Sequence, residues 1–69
     1  MELNDDMYKD LVGICMVDNQ RLPYIVTKIK VEDFPNGCWR EIYKSIVDLY
    51  NLGVEVDIVT VSNRLLNTS

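Results

Sequence analysis

Apolar residues recur along most of this chain with the period of an α-helix. The clearest run is residues 37–52, where Trp39, Ile42, Tyr43, Ile46, Leu49 and Tyr50 repeat at spacings of three and four. Arg40, Glu41, Lys44, Ser45, Asp48 and Asn51 fill the other faces, with Arg40 and Lys44 a slightly unfavourable like-charge pair at helical spacing. Val47 stands off the stripe, either incidental or available to a partner. Gly53 then supplies the backbone freedom for a left-handed helix stop. After a short extended link, Asp57 is placed to cap the N–H groups of Val59 or Thr60, and Ile58, Val61, Leu65 and Leu66 are the expected inner face of a last helix.

The first half of the chain reads similarly. Residues 6–17 predict a helix with a wide apolar surface made of Met7, Leu11 and Ile14 beside Tyr8, Val12, Cys15 and Met16. Asn4, Asp5 and Asp6 offer capping oxygens and negative charge at its start. Gly13, which costs a helix about 1 kcal/mol relative to alanine, implies close approach of another helix. Asp18-Asn19-Gln20 ends the element. Residues 22–29 predict a second helix with Pro23 in its first turn and Leu22, Ile25, Val26 and Ile29 on one face. Its several β-branched residues leave a strand as the alternative. Residues 31–37 form a connector in which Asp33 caps a single turn, Phe34 is a buried anchor, Pro35 disfavours helix at Phe34, and Asn36 is the expected N-cap of the next helix. The expected fold is all-α: one domain over residues 1–69, a small orthogonal bundle of about four helices with short connectors.

Composition narrows the function classes. The 69 residues carry 11 acidic and 7 basic side chains for a net charge of −4. The basic residues are scattered, with Lys28 and Lys30 the one close pair, which argues against a phosphate-binding surface and for a protein partner. The last helix carries only Arg64, too little for a DNA-reading helix. There is no histidine, which removes the commonest general base and metal ligand. Cys15 and Cys38 form no CxxC pair, so no zinc site is expected. Cys15 sits in an apolar run as a small hydrophobe, and Cys38 has no accompanying base. The three isolated glycines cannot build a phosphate loop. The carboxylate pairs Asp5/Asp6 and Glu32/Asp33 read as helix caps rather than as acid–base machinery. No stretch approaches the roughly 18 apolar residues of a membrane span, and the acidic start is unlike a secretory signal. The residues therefore predict a cytosolic, non-catalytic chain without cofactor or metal.

Four segments in series resemble one family. Leu11-Val12-Gly13-Ile14-Cys15-Met16-Val17-Asp18-Asn19 resembles the helix that opens the N-terminal domain of DnaB-type replicative DNA helicases. Val31-Glu32-Asp33-Phe34 is similar to that family's "EDF" connector, and Arg40-Glu41-Ile42-Tyr43-Lys44-Ser45-Ile46 to its following helix. The stretch from Leu49-Tyr50 through Gly53 to Val56-Asp57-Ile58-Val59-Thr60-Val61 is similar to its "LY…G…vD–x–vT" signature. Trp39 stands where a histidine is common in the family, and the long helical hairpin and ATPase domain of the full helicases are not part of these residues. The resemblance is thus to the globular head alone, either as a fragment of a longer helicase or as a short stand-alone relative.

The resemblance implies a protein-interaction and assembly module of DNA replication. In that family the N-terminal domains form a collar on a hexameric ring and dock primase and, in some systems, a helicase loader. Primase, a loader and other helicase subunits are the implied partners, with no direct nucleic-acid contact by this segment. Without the hairpin the head is expected to be monomeric or weakly homodimeric. The residues suggest Tyr24 and Val47, both off the core stripes, as partner contacts, with Trp39 and Tyr43 as further aromatic candidates for which core packing competes. The alternatives are a phage or plasmid regulator that mimics the head, and the helicase-binding domain of a primase, whose fold is similar.

Overall fold

A computed structural model describes residues 5–68. Four α-helices follow in order: α1 (Asp5–Val17), α2 (Leu22–Lys28), α3 (Cys38–Asn51) and α4 (Ile58–Thr68). Single 3-10 turns at Asn19–Arg21 and Val31–Asp33 lead into α2 and out of it. No strand occurs among the described residues, so the residue 25–31 segment resolves as helix and turn. The capping expected of Asn4, and the side chain of Asp5, lie outside the described residues.

One core holds the helices together. Its fully enclosed side chains are Tyr43, Phe34, Leu22, Ile46, Val56 and Cys15, with Tyr8, Val12, Ile25, Leu49 and Val61 nearly so. Phe34 lies at the centre. Its ring stacks on Tyr43 at 4.6 Å and 17°, and on Tyr8 at 4.7 Å and 33°. The stack joins α1, the connector and α3 through a geometry that aromatic rings favour. The Tyr43 hydroxyl donates to the Ile29 carbonyl at 2.6 Å, which satisfies that buried group and ties in α2 as well. Asp33 holds the turn before Phe34 by accepting from the Lys30 N–H at 2.8 Å.

Helix ends follow the residues placed there. Gly53, at φ +75°, ends α3 with two backbone bonds: its own N–H to Tyr50 and the Val54 N–H to Leu49. That is the Schellman arrangement, and it turns the chain sharply enough to bring Val56 under the core. Asp57 caps α4 by accepting from the Thr60 N–H at 2.9 Å, while Thr60 Oγ1 accepts from the Asp57 N–H at 3.0 Å. The expected cap of α3 differs. Gly37, at φ +144°, occupies the N-cap position, and the Asn36 side chain accepts instead from Arg40 one turn on. Glycine reaches the backbone conformation that the entry turn requires.

Two further expectations are corrected. Gly13 has nothing within 4 Å of where a Cβ would stand, so it admits no close helix within this chain. It lies on an outward face of α1 beside Ile14 (41% exposed) and Val17 (88%), with Met7 also at 41%. Tyr8, Val12 and Cys15 are the buried inner stripe, with Leu11 and Met16 half-buried beside them, because a helix packed on one side buries only a third or so of its circumference. In α4, Val61 is buried and Leu65 half-buried, but Ile58 (69%) and Leu66 (74%) face out. That helix packs chiefly on α3, and Arg64 reaches Asp48 of α3 at 3.4 Å. A single neighbour leaves room for a narrow apolar seam only.

The link between α3 and α4 is fastened across the molecule by Asn19. Its Nδ2 donates to the Val56 carbonyl at 2.7 Å and its Oδ1 accepts from the Val56 N–H at 2.8 Å. A single amide thus replaces the strand partner that an extended buried residue lacks. Replacing Asn19 by alanine strands both groups of Val56, each at a cost of about 1–3 kcal/mol if left unpaired. Urea unfolding of Asn19→Ala is expected to show a loss of about 2 kcal/mol or more, and of Gln20→Ala, an exposed neighbour, less than about 0.5 kcal/mol.

Candidate docking surfaces

Cys15 is fully enclosed and its thiol is pushed up to about 11 by burial, against 9.0 ordinarily. Tyr43 is pushed up to about 12 by burial, reinforced by the nearby Cys15 and Asp33. Both groups are held neutral, as core residues rather than nucleophiles. Both cysteines are free thiols, Cys38 on the surface. Among the described residues no three His, Cys, Asp or Glu side chains gather as metal ligands. Ser45 is buried, with its hydroxyl donating to the Glu41 carbonyl at 3.1 Å, an ordinary back-bond along the helix.

The surface is where chemistry is available. A groove runs between α1 and α2, floored by Leu11, Ile14, Ile25 and Ile29 and flanked by Gln20, Arg21, Tyr24 and Lys28. Tyr24 is 68% exposed, and the Lys28 Nζ sits 5.8 Å from its ring centroid, within cation–π range. A second, smaller groove lies between α2 and α3, lined by Val26, Ile29, Val31, Glu32 and Val47. A third open strip follows the outer face of α1 through Lys9, Asp10, Gly13, Ile14 and Val17. Leu52, Val54, Ile58, Val59 and Leu66 add exposed apolar area at the α3–α4 link and along α4.

The four candidate contact residues are therefore scattered. Tyr24 projects into solvent at the first groove. Val47 is half-buried and lines the second. Trp39 is half-buried against the core, and Tyr43 is wholly enclosed with its hydroxyl engaged, so it presents nothing to a partner. Sequence reasoning missed the outward Ile14 and Val17 and the exposed Ile58, Val59 and Leu66. The signal was there in α1, whose apolar residues at 7, 8, 11, 12, 14, 15, 16 and 17 exceed what one buried face accommodates.

The centre of this small helical domain is closed and apolar, and several large apolar side chains face outward. The chain belongs to the DnaB-like helicase N-terminal domain family, whose model matches residues 4–69. It is a helicase-associated domain of DNA replication, of a non-catalytic kind. No curated protein and no solved structure matches it. No helix among the described residues is long and apolar enough to cross a membrane.

The two raised acids make alkaline stability a test of the interior. A group whose folded-state pKa exceeds its unfolded value contributes stability in full below the unfolded value, and loses it as pH climbs through the folded one. For Cys15 the window is pH 9 to about 11 and for Tyr43 pH 10 to about 12. The contribution of these two groups to the urea midpoint is expected to stay level up to about pH 9 and fall beyond it. In Cys15→Val the fall is expected to begin nearer pH 10, which urea titration at stepped pH measures.

Proposed function

We propose that this chain is the globular head of a replicative helicase collar, a module that helps assemble the helicase ring and docks primase or a helicase loader. The family match over residues 4–69 carries the reading. The surface supports it: large apolar side chains remain exposed on α1, α2, the α3–α4 link and α4, more than a freestanding head of this size needs to leave uncovered. The acidic balance, with seven scattered basic residues, favours protein over nucleic-acid partners. The helicase side of the replisome is preferred to a primase domain because the family model is that of the helicase. ATP-driven unwinding is no part of the role proposed for these residues.

Tyr24 is the proposed anchor of docking, as an exposed aromatic at the rim of an apolar groove. Calorimetric titration against the C-terminal domain of the primase of the same replication system, and separately against its loader, tests this. Saturable binding is expected to at least one, weakened about tenfold in Tyr24→Ala. Absence of binding to primase, loader and helicase subunits alike would overturn the docking role.

A further inference from the structure

The groove between α1 and α2 differs in charge from the rest of the molecule. The chain carries 11 acidic residues against 7 basic, yet the only charged side chains lining this groove are Arg21 and Lys28. Asp18 bonds the Nε of Arg21 at 3.0 Å but lies outside the lining, and this exposed pair is worth little in water. Asp10 and Asp18 line the neighbouring strip along α1, which shares Ile14 and Arg21 with the groove. The floor is apolar, and Tyr24 stands up at its edge with Lys28 beside its ring.

We propose that this groove receives an acidic amphipathic helix from a partner protein. The inference rests on reading the domain as a docking module and names the chemistry of what docks. Three observations select the occupant. The groove's volume of about 420 Å³ suits one or two large apolar side chains such as leucine or phenylalanine. Its walls are helices, and no strand edge exists among the described residues, so a partner cannot bind here by adding a strand. The two cations are seven residues apart, which along a helix is about 10 Å. A partner helix with carboxylates about two turns apart, and apolar anchors on the face between them, matches both cations and the floor at once.

The test uses the whole chain and two short synthetic helical peptides with the same apolar face, one flanked by glutamates and the other by lysines. Amide chemical-shift titration reads both site and affinity. The glutamate peptide is expected to shift amides of residues 11–14 and 21–29 and to bind at least about tenfold tighter than the lysine peptide. Reversing both charges, in Arg21→Glu with Lys28→Glu, is expected to invert that order, while Arg21→Gln with Lys28→Gln abolishes the preference. Both residues are exposed, so the variants are expected to stay folded, which circular dichroism checks. Equal binding of the two peptides, shifts centred elsewhere, or self-association of the chain that perturbs these same amides would overturn the proposal. If the peptide preference fails while primase or loader still binds, the groove assignment falls and the docking role stands. If the charge-reversed variant loses the peptide but keeps primase, the groove serves a different partner from primase.

Discussion

The fold depends on one aromatic side chain placed in a loop. Phe34 lies between Tyr8 of α1 and Tyr43 of α3, ring against ring, and Tyr43 in turn bonds the end of α2. Three of the four helices are therefore organised by a residue that belongs to none of them. The connector around Phe34 is built to keep it there: Asp33 closes the turn before it, and Pro35 after it favours the extended backbone that Phe34 adopts. The fourth helix is secured differently, by the Asn19 amide on Val56, the Gly53 turn and the Arg64–Asp48 pair. A domain this small has little stability to spare, roughly 3–5 kcal/mol from its core, so each of these fastenings is a sizeable share of the whole.

The helices were legible because each carries its own local instructions. The stripe of α3, the Gly53 stop and the Asp57 cap are all written within a few residues of where they act, and the structure follows them. Long-range features were not legible in that way. Asn19 and Val56 are 37 residues apart, and nothing in the local pattern marks Asn19 as more than a helix terminator. Gly13 misled for a related reason: a glycine in a helix signals the absence of a side chain but not the presence of a neighbour. The outward turn of Ile58 and Leu66 depended on how many helices surround α4, which no single-helix pattern records.

The same division explains what was legible of function. Absent chemistry is read from composition: without histidine, glycine loops or cysteine pairs, few catalytic designs remain open. Surfaces are harder, because an exposed apolar residue and a buried one look alike in sequence. Tyr24 stood out only because it breaks the stripe of α2. Ile14 and Val17 did not, because α1 is apolar on nearly every side. The structure separates the two populations, and two of the exposed residues, Ile14 and Tyr24, line the groove between α1 and α2. The proposed docking role thus draws on excess apolar surface, whereas membership of the helicase family rests on the pattern of the whole chain.

The central claim is that Phe34 organises the domain, and its direct test is the thermal and urea unfolding of Phe34→Ala followed by circular dichroism. Removing a fully buried phenylalanine costs about 3–5 kcal/mol, nearly the entire stability available to a chain of this length. The account predicts loss of the cooperative transition at room temperature, with Phe34→Leu retaining it at reduced stability. A cooperative Phe34→Ala transition within about 1 kcal/mol of the parent would show that the helices pack without the stack, and would contradict the account.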